Sequence, residues 1–313
     1  MRVKIGNKYI AFQKIRLYFS VECILCRTFV TVVKKRYMIT LAIVWDPPLG
    51  IDLGFITLRY YSLMWLAAFA VGLWLFNKMA RRDSMSEEEV GTMLLYVFFG
   101  TLIGSRLGHC IFYEWDYYSN HILEMILPFQ ISPFKFTGYQ GLASHGAAIG
   151  IPLAVWILSR RIKRHFLWLM DRLVIVVALG GAFIRLGNFF NSEIVGLPSG
   201  SSYGVIFRAL GENIPRHPTQ LYESVAYMAL FVLLSYIYKR GWVKAEGLIF
   251  GIFMVWLFGM RIIIEFFKEN QSAFEEGMIL NMGQILSIPF IIAGIILIFT
   301  ASKRVYPSKI NKK

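Results

Sequence analysis

The chain has 313 residues, of which 57% are hydrophobic, 16% aromatic and only 17% charged. Soluble domains carry about a quarter charged residues, and a mean hydropathy of +0.55 excludes a soluble fold, a disordered chain and a disulfide scaffold alike. The net charge of +14 suits an anionic membrane surface. No nucleic-acid module accompanies it, so nucleic acid is not an expected partner.

Residues 1–37 hold nine basic residues against one acid, Glu22, and so supply +8 of the net charge. They contain no apolar run long enough to span and no signal-peptide pattern. Cys23 and Cys26 form a lone C-x-x-C, without the second pair or flanking histidines of a zinc or redox site. Met38 opens Met-Ile-Thr-Leu-Ala-Ile-Val. The expectation is that translation starts there and that 1–37 is a basic extension outside the fold. Residues 38–302 then form one domain and 303–313 a basic tail.

An apolar helix needs about 20 residues to cross the hydrocarbon. Seven segments qualify, at 60–79, 91–113, 141–159, 168–190, 218–238, 246–267 and 280–300. Positive charge orients them. Sixteen Lys and Arg follow spans 1, 3, 5 and 7 or open span 4, against four (Lys135, Arg208, Arg216, Lys268) on the opposite side. The reading is an all-α polytopic membrane protein of seven transmembrane helices, start of span 1 outside and C-terminus inside. The aromatic, Pro-broken stretch 114–140 reads as an arm lying on the outer leaflet. The Gly/Ser/Pro-rich stretch 191–217 reads as a small outer head. Gly100, Gly104 and Gly108 in span 2, and Gly146 and Gly150 in span 3, sit four apart, as close helix packing in lipid requires. Cys110 reads as a small core residue.

Ionisable residues inside spans are costly and face a cavity or a partner. Here they gather at the outward ends. Span 2 carries Arg106 and His109, span 3 begins at His145, and span 4 ends with Arg185, Asn188, Asn191 and Glu193. Arg216 and His217 precede span 5, which carries Glu223, and span 6 ends with Arg261 and Glu265. A single pair such as Arg261 and Glu265 is explained equally well as a buried structural ion pair. Polar groups at one depth in five helices are better explained by a shared cavity. Arg106, Arg185 and Arg261 are expected to converge there, with few carboxylates to neutralise them. Arginine's planar fork suits phosphate, so the expected guest is an anionic phospholipid.

No nucleophile accompanies this cluster. His109, His145 and His217 lack Cys or carboxylate companions at ligand spacing, so no metal is expected. If there is chemistry, the nucleophile arrives on a second substrate. A flippase or transporter of anionic lipids would use the same arginines without a base, though no internal repeat supports it. A membrane scaffold would leave the arginines unexplained.

The stretch Gly181-Ala-Phe-Ile-Arg185-Leu-Gly187-Asn188-Phe-Phe-Asn191-Ser-Glu193-Ile-Val-Gly196 resembles the signature of the prolipoprotein diacylglyceryl transferases. Four further pieces agree in order: Tyr60-Tyr61-Ser62, Ser144-His145-Gly146, Arg216-His217-Pro218-Thr219-Gln220-Leu-Tyr222-Glu223 and Arg261-Ile-Ile-Ile-Glu265. Span 2 adds Gly104-Ser-Arg106-Leu-Gly108. The resemblance covers about residues 40–302. It implies transfer of the sn-1,2-diacylglyceryl group from phosphatidylglycerol to the lipobox cysteine of a prolipoprotein signal peptide, releasing glycerol 1-phosphate. It further implies a bacterial inner-membrane enzyme without cofactor, whose site faces outward.

Residue by residue, the resemblance makes His145 the proton acceptor and Arg185 and Arg261 the stabilisers of the leaving phosphate. Glu265 orients Arg261 or is itself the base. Tyr61, Asn188 and Gly196 match site positions, and Arg106, Asn191, Glu193, His217 and Glu223 match motif residues with supporting, substrate-binding roles. One departure is that Leu257 and Phe258 stand where the family commonly carries Tyr-Gly. A hydroxyl is therefore missing unless Tyr222 or Tyr227 supplies it.

Overall fold

The computed structural model describes residues 41–54, 57–127, 129–131, 134–136, 143–200, 203–242, 245–269 and 278–304. The 1–37 extension, its two cysteines and Met38 lie outside the described residues, as does the tail beyond Arg304.

The chain divides into two units. In the first, β1 (Leu41–Trp45) pairs in parallel with β6 (Tyr203–Phe207), Leu41 facing Tyr203 and Trp45 facing Phe207. A single 3-10 turn, Arg208–Leu210, follows β6 and closes on Gly211 at φ 70°. Parallel strands need a long connection; here it contains four of the long helices of the second unit.

The second unit, 46–197 with 216–313, is helical. It opens with a hairpin of β2 (Gly50–Asp52) and β3 (Thr57–Arg59) that leads directly into α1 (Tyr60–Arg82). α2 (Glu87–Phe112) starts on a capping box: the Ser86 hydroxyl accepts from the Glu89 N–H at 3.1 Å, and the Ser86 N–H donates to the Glu89 carboxylate at 2.8 Å. Two short helices, α3 (Trp115–Tyr118) and α4 (Ile122–Ile126), and the strand pair β4 (Phe129–Gln130) and β5 (Lys135–Phe136) form the arm. Then come α5 (Ser144–Ile162), α6 (Phe166–Phe190), α7 (Thr219–Lys239) and α8 (Leu248–Glu265). α9 (Met282–Ile285) and α10 (Ser287–Ala301) end the described chain. The three small strand pairs are a departure from the purely helical expectation. Each lies outside the seven predicted spans.

Among the described residues, six helices are long and apolar enough to cross a membrane: α1, α2, α6, α7, α8, and α9 with α10 taken together as Met282–Ala301. The expected third span folds as α5, at 19 residues. His145, Pro152, Arg160 and Arg161 dilute its hydropathy and keep it out of that set.

α2 lies along α5, α1 along α6, and α8 along α10, with α6 and α7 side by side. The glycines explain the first of these. A Cβ at Gly104 would lie 2.6 Å from the Gly146 carbonyl oxygen, and one at Gly108 would lie 2.5 Å from the Gly146 Cα. Only hydrogen at these positions lets the two backbones touch.

The end of the bundle remote from Arg185 is fixed by charges in α6. Asp171 has no exposed surface and accepts from the Gly247 and Phe250 N–H groups at 2.7 and 2.8 Å. It thus caps α8 from a neighbouring helix, since Gly247 has no side chain to do so. Arg172 reaches Asp83 at 2.6 Å, and Tyr238 donates to the same Asp83 oxygen at 3.0 Å. Substitution of Gly104 by Ala should therefore cost about 1–3 kcal/mol of stability through forced separation of α2 and α5. Thermal unfolding of the detergent-solubilised protein measures it, and an unchanged midpoint would refute the close-approach argument.

Candidate active site

The site is assembled around the last turn of α6. Arg185 and Asn188 are three residues apart and share a helix face. Arg185 Nη1 donates to Asn188 Oδ1 at 3.3 Å, and Asn188 Nδ2 donates to Glu193 Oε1 at 2.7 Å. Glu193 sits between Ser192 at φ 54° and Ile194 at φ 56°. Left-handed backbone is unfavourable for any L residue and most of all for a β-branched one. The first turn of α7 restrains this turn: Gln220 Nε2 donates to the Glu193 carbonyl at 2.7 Å and Thr219 Oγ1 to the Ile194 carbonyl at 3.2 Å. Strain at the two residues that flank Glu193, held from outside, marks a geometry kept for use.

α7 contributes Glu223, which has no exposed surface. One carboxylate oxygen pairs with Arg185 Nε at 2.9 Å, and the other accepts from Lys268 Nζ at 3.1 Å. Lys268 is itself buried and lies 3.7 Å from Glu265 Oε2. Removing one member of a buried pair costs about 3–5 kcal/mol, because the other is left uncompensated. Tyr227, one turn beyond Glu223, hydrogen-bonds Arg185. Its ring fits against Gly181, where a Cβ would lie 3.1 Å from it.

α5 and α8 bring the second group. Arg261 Nη1 donates to the Ser144 hydroxyl at 3.2 Å. His145, next in sequence, is 1% exposed. Its ring lies 6.0 Å from that of Phe258 and 6.5 Å from that of Phe290, centroid to centroid. His145 Nε2 meets the Ser287 hydroxyl at 3.5 Å, and that hydroxyl donates to the Gly283 carbonyl at 2.6 Å. His145 Nδ1, Arg261 Nε, Gln220 Oε1 and Glu265 Oε2 are buried with no hydrogen-bond partner among the described residues. Unsatisfied buried polar atoms are few in native structures and concentrate where a site has work to do.

Gly196 joins the segments that carry these groups. Its N–H donates to the His217 carbonyl at 3.0 Å, and its backbone bridges Lys268. Arg216 Nη1 donates to the Gly196 carbonyl at 3.1 Å and pairs with Glu269. A Cβ at Gly196 would lie 2.5 Å from the His217 carbonyl oxygen and 2.6 Å from that of Phe267. Only glycine permits this three-way contact.

The structure thus brings together Arg185, Asn188, Glu193, Glu223 and Glu265, and sets Arg261 beside the histidine's neighbour Ser144. It places three expected residues differently. Arg106 does not serve as the third converging arginine but holds the arm: it donates to the Met125 and Glu124 carbonyls at 3.2 and 2.9 Å and to the Tyr118 hydroxyl at 3.0 Å. The arm folds back over the end of α2 and presents those carbonyls to it. Glu124, at the arm's centre, is held below the usual carboxylate pKa range by the Ile131 N–H, which donates to it at 2.8 Å. Asn191 terminates α6, its N–H bonded to the Gly187 carbonyl. Tyr61 packs on the back of the signature helix, its ring atom 3.0 Å from where a Gly187 Cβ would be.

One further expectation needs correction, and one open alternative is narrowed. Glu265 pairs with Lys268, not Arg261: among the described residues no ion pair joins Glu265 to Arg261, because the lysine three residues on curls back at the helix end. His217 meets the Tyr222 hydroxyl at 3.3 Å and the Phe267 ring, so Tyr222 serves the histidine. Tyr227 is the tyrosine beside Arg185. Sequence reasoning missed Lys268 and Ser287 as site residues, gave Ser144 and Gln220 no role beyond motif membership, and left Tyr227 as one of two candidates for the missing hydroxyl. Lys268 had a signal, a cation one turn beyond an intramembrane acid, but it was counted with the loop charges.

The family model described as prolipoprotein diacylglyceryl transferase matches residues 48–300. The chain belongs to this family of enzymes. A relative from Bacteroides fragilis is 41% identical over 269 residues, covering 84% of this chain and 97% of the relative. One from Tolumonas auensis is 41% identical over 257 residues, covering 82% and 96%, and one from Chloroherpeton thalassium is 40% identical over 265, covering 84% and 95%. All three are named phosphatidylglycerol–prolipoprotein diacylglyceryl transferase. The matched region contains every residue of the site described above.

The close contacts at Gly196 make it a packing requirement. Gly196→Ala should lower stability by about 1–3 kcal/mol and reduce activity with it. Retention of both the unfolding midpoint and the activity would show that the 196–217–267 contact can open without consequence.

Proposed function

We propose that this protein transfers the sn-1,2-diacylglyceryl group from phosphatidylglycerol to the lipobox cysteine thiol of prolipoproteins, releasing glycerol 1-phosphate. The observation that carries the reading is the pairing of two unlike environments. Arg261, buried with donor capacity unspent, stands beside Ser144, and the apolar, aromatic-lined His145 follows in sequence. One environment suits a phosphate and the other a proton acceptor.

The chemistry follows. A cysteine thiol has a pKa near 8.5, and the thiolate is the nucleophile. Its sulfur attacks C3 of the diacylated glycerol. The S–C bond forms as the C–O bond to phosphate breaks, and the leaving glycerol phosphate carries the electron pair. Arg261 and Arg185 stabilise that charge, Arg185 in an orientation set by Glu223 and Asn188. Ser287 assigns the histidine's nitrogens. Its hydrogen is committed to Gly283, so its oxygen accepts from His145 Nε2–H. That leaves Nδ1 as the nitrogen that takes the thiol proton. Glu193 and Asn188 extend the polar surface toward the headgroup, with Asn191, His217 and Gly196 bordering it. Arg106 holds the arm that covers the membrane surface, and Tyr61 supports the signature helix. Glu265 serves with Lys268.

In this reading α5 is the seventh span, its His145 end sharing the outer-leaflet depth of Arg185 and Arg261. The C-terminus is then cytoplasmic, and the active site faces outward from the inner membrane of a bacterium. Phosphatidylglycerol resides at that depth, and signal peptides emerge there with the lipobox at the membrane surface.

The purified protein, given phosphatidylglycerol and a lipobox peptide, should add one diacylglyceryl group to the peptide, as read by mass spectrometry. Phosphatidylcholine should not substitute, because it presents no net negative charge to the arginines. Equal turnover on both lipids would remove the electrostatic basis of the reading.

His145→Ala should insert normally yet lose roughly 10²-fold or more in turnover, the usual contribution of a general base. His145→Asn should not rescue it, since an amide cannot take the proton. Arg185→Lys should keep the charge, lose the planar fork and lose most of the rate while lipid binding persists. Wild-type turnover from either the Asn or the Lys variant would overturn the role assigned to that residue.

A further inference from the structure

Lys268 is the buried cation that the mechanism above leaves without a task. Its side chain is 1% exposed, as is that of Glu223, which it meets at 3.1 Å. Lysine is among the residues least often fully buried, and its flexible stem and compact, strongly hydrated charge make burial expensive. A position of this kind persists where the charge is used. The chain also fixes the backbone there with care. Lys268 bridges Gly196 across an isolated β contact, and Gly196 lacks the Cβ that would push the 267–268 segment away.

The charge layout shows what Lys268 can do. Glu223 offers two oxygens. Arg185 takes one and Lys268 the other. Glu265 is 3.7 Å from the same ammonium. With Lys268 present, the negative charge of Glu223 is divided between two cations. With Lys268 removed, all of it falls on Arg185, the arginine that must also attract an anionic headgroup. Whatever the total charge of the cavity, loss of Lys268 makes it one unit more negative within a few ångströms of the guanidinium. Little water is there to screen the change.

We infer that Lys268 is a positioning residue that sets donor-lipid selectivity: by neutralising Glu223 from behind, it leaves the positive charge of Arg185 free for the phosphate of an anionic lipid. Glu223 thereby orients Arg185 without cancelling it. This inference rests on the phosphatidylglycerol reading for its ligand, but it concerns binding and is tested apart from transfer. Lys268 touches neither the lipid nor the reacting atoms in this arrangement and acts only through Glu223 and Arg185.

The test uses the full-length protein in nanodiscs of phosphatidylcholine containing a small titrated fraction of phosphatidylglycerol, with no peptide present. Native mass spectrometry counts the phosphatidylglycerol retained. Lys268→Met should weaken retention about 10-fold or more, the scale expected for one unit of charge at short range in a poorly screened site. Lys268→Arg should retain wild-type selectivity. The double variant Lys268→Met with Glu223→Gln removes both charges of the pair and should regain much of the preference for the anionic lipid. In the transfer assay Lys268→Met should raise KM for phosphatidylglycerol more than it lowers kcat. Equal loss of lipid preference in the single and double variants would overturn the inference, because it would mean that the lysine only fills space. Unchanged retention in Lys268→Met would overturn it too. Wild-type protein that retains phosphatidylglycerol yet never modifies the peptide would defeat the transferase reading and leave the role of Lys268 standing.

Discussion

A carboxylate with no exposed surface needs opposite charge or hydrogen-bond donors wherever water would otherwise stand. Glu223 meets that demand with Arg185 on one oxygen and Lys268 on the other, and the rest of the site is arranged around the result. Arg185 is then turned toward Asn188, Asn188 toward Glu193, and the strained turn at 192–194 toward α7. Each link fixes the next, so the guanidinium cannot rotate away from its task without exposing an unpaired buried acid. Such preorganisation is the means by which a fixed charge can stabilise a transition state without reorganising as the reaction proceeds.

The same demand explains why the backbone contact at Gly196 matters at a distance from any chemistry. Lys268 comes from the segment after α8, Glu223 from α7 and Arg185 from α6. Side chains of ordinary length bridge them only if the connecting segments touch backbone to backbone. Gly196 makes that possible by accepting Arg216, donating to His217 and lying against Phe267 and Lys268 at once. A glycine that looks like part of a substrate-binding signature is thus also a spacing device that lets Lys268 reach Glu223.

Much of this was legible in the residues. The apolar runs located the helices to within a few residues because length and hydropathy are local properties. The four-residue glycine spacing announced the α2–α5 contact, and the short polar run Arg185, Asn188, Glu193 announced the core of the site. What stayed hidden depends on three-dimensional partners. Asp171 reads as an acid among apolar neighbours, and nothing local says that it caps α8, 76 residues on. Arg106 shares depth with Arg185 and Arg261, so the sequence groups the three; only the path of the arm separates it. Ser287 is one hydroxyl at the start of an apolar helix until the fold sets it against His145. Lys268 was misread for a different reason. It follows the last apolar residues of span 6 and so reads as a loop charge, whereas the turn after α8 folds it inward.

In the proposed reaction His145 and Arg261 have different tasks, and the residues that touch their side chains differ accordingly. A base in direct contact with cations takes up a proton poorly, and a phosphate site lined only by aromatic rings binds its anion weakly. Here adjacent residues face different surroundings. Ser144 turns to Arg261 and the charged group, while His145 turns to Phe258, Phe290 and Ser287. Sequence neighbours on a helix point about 100° apart, which is enough to place one in each environment while keeping them a few ångströms apart. On the proposal made above, the thiol of the second substrate gives up its proton on the His145 side and its sulfur meets the lipid on the Arg261 side. The single turn that opens α5 carries both Ser144 and His145, and Gly146, directly after them, packs against Gly104 and Gly108 of α2.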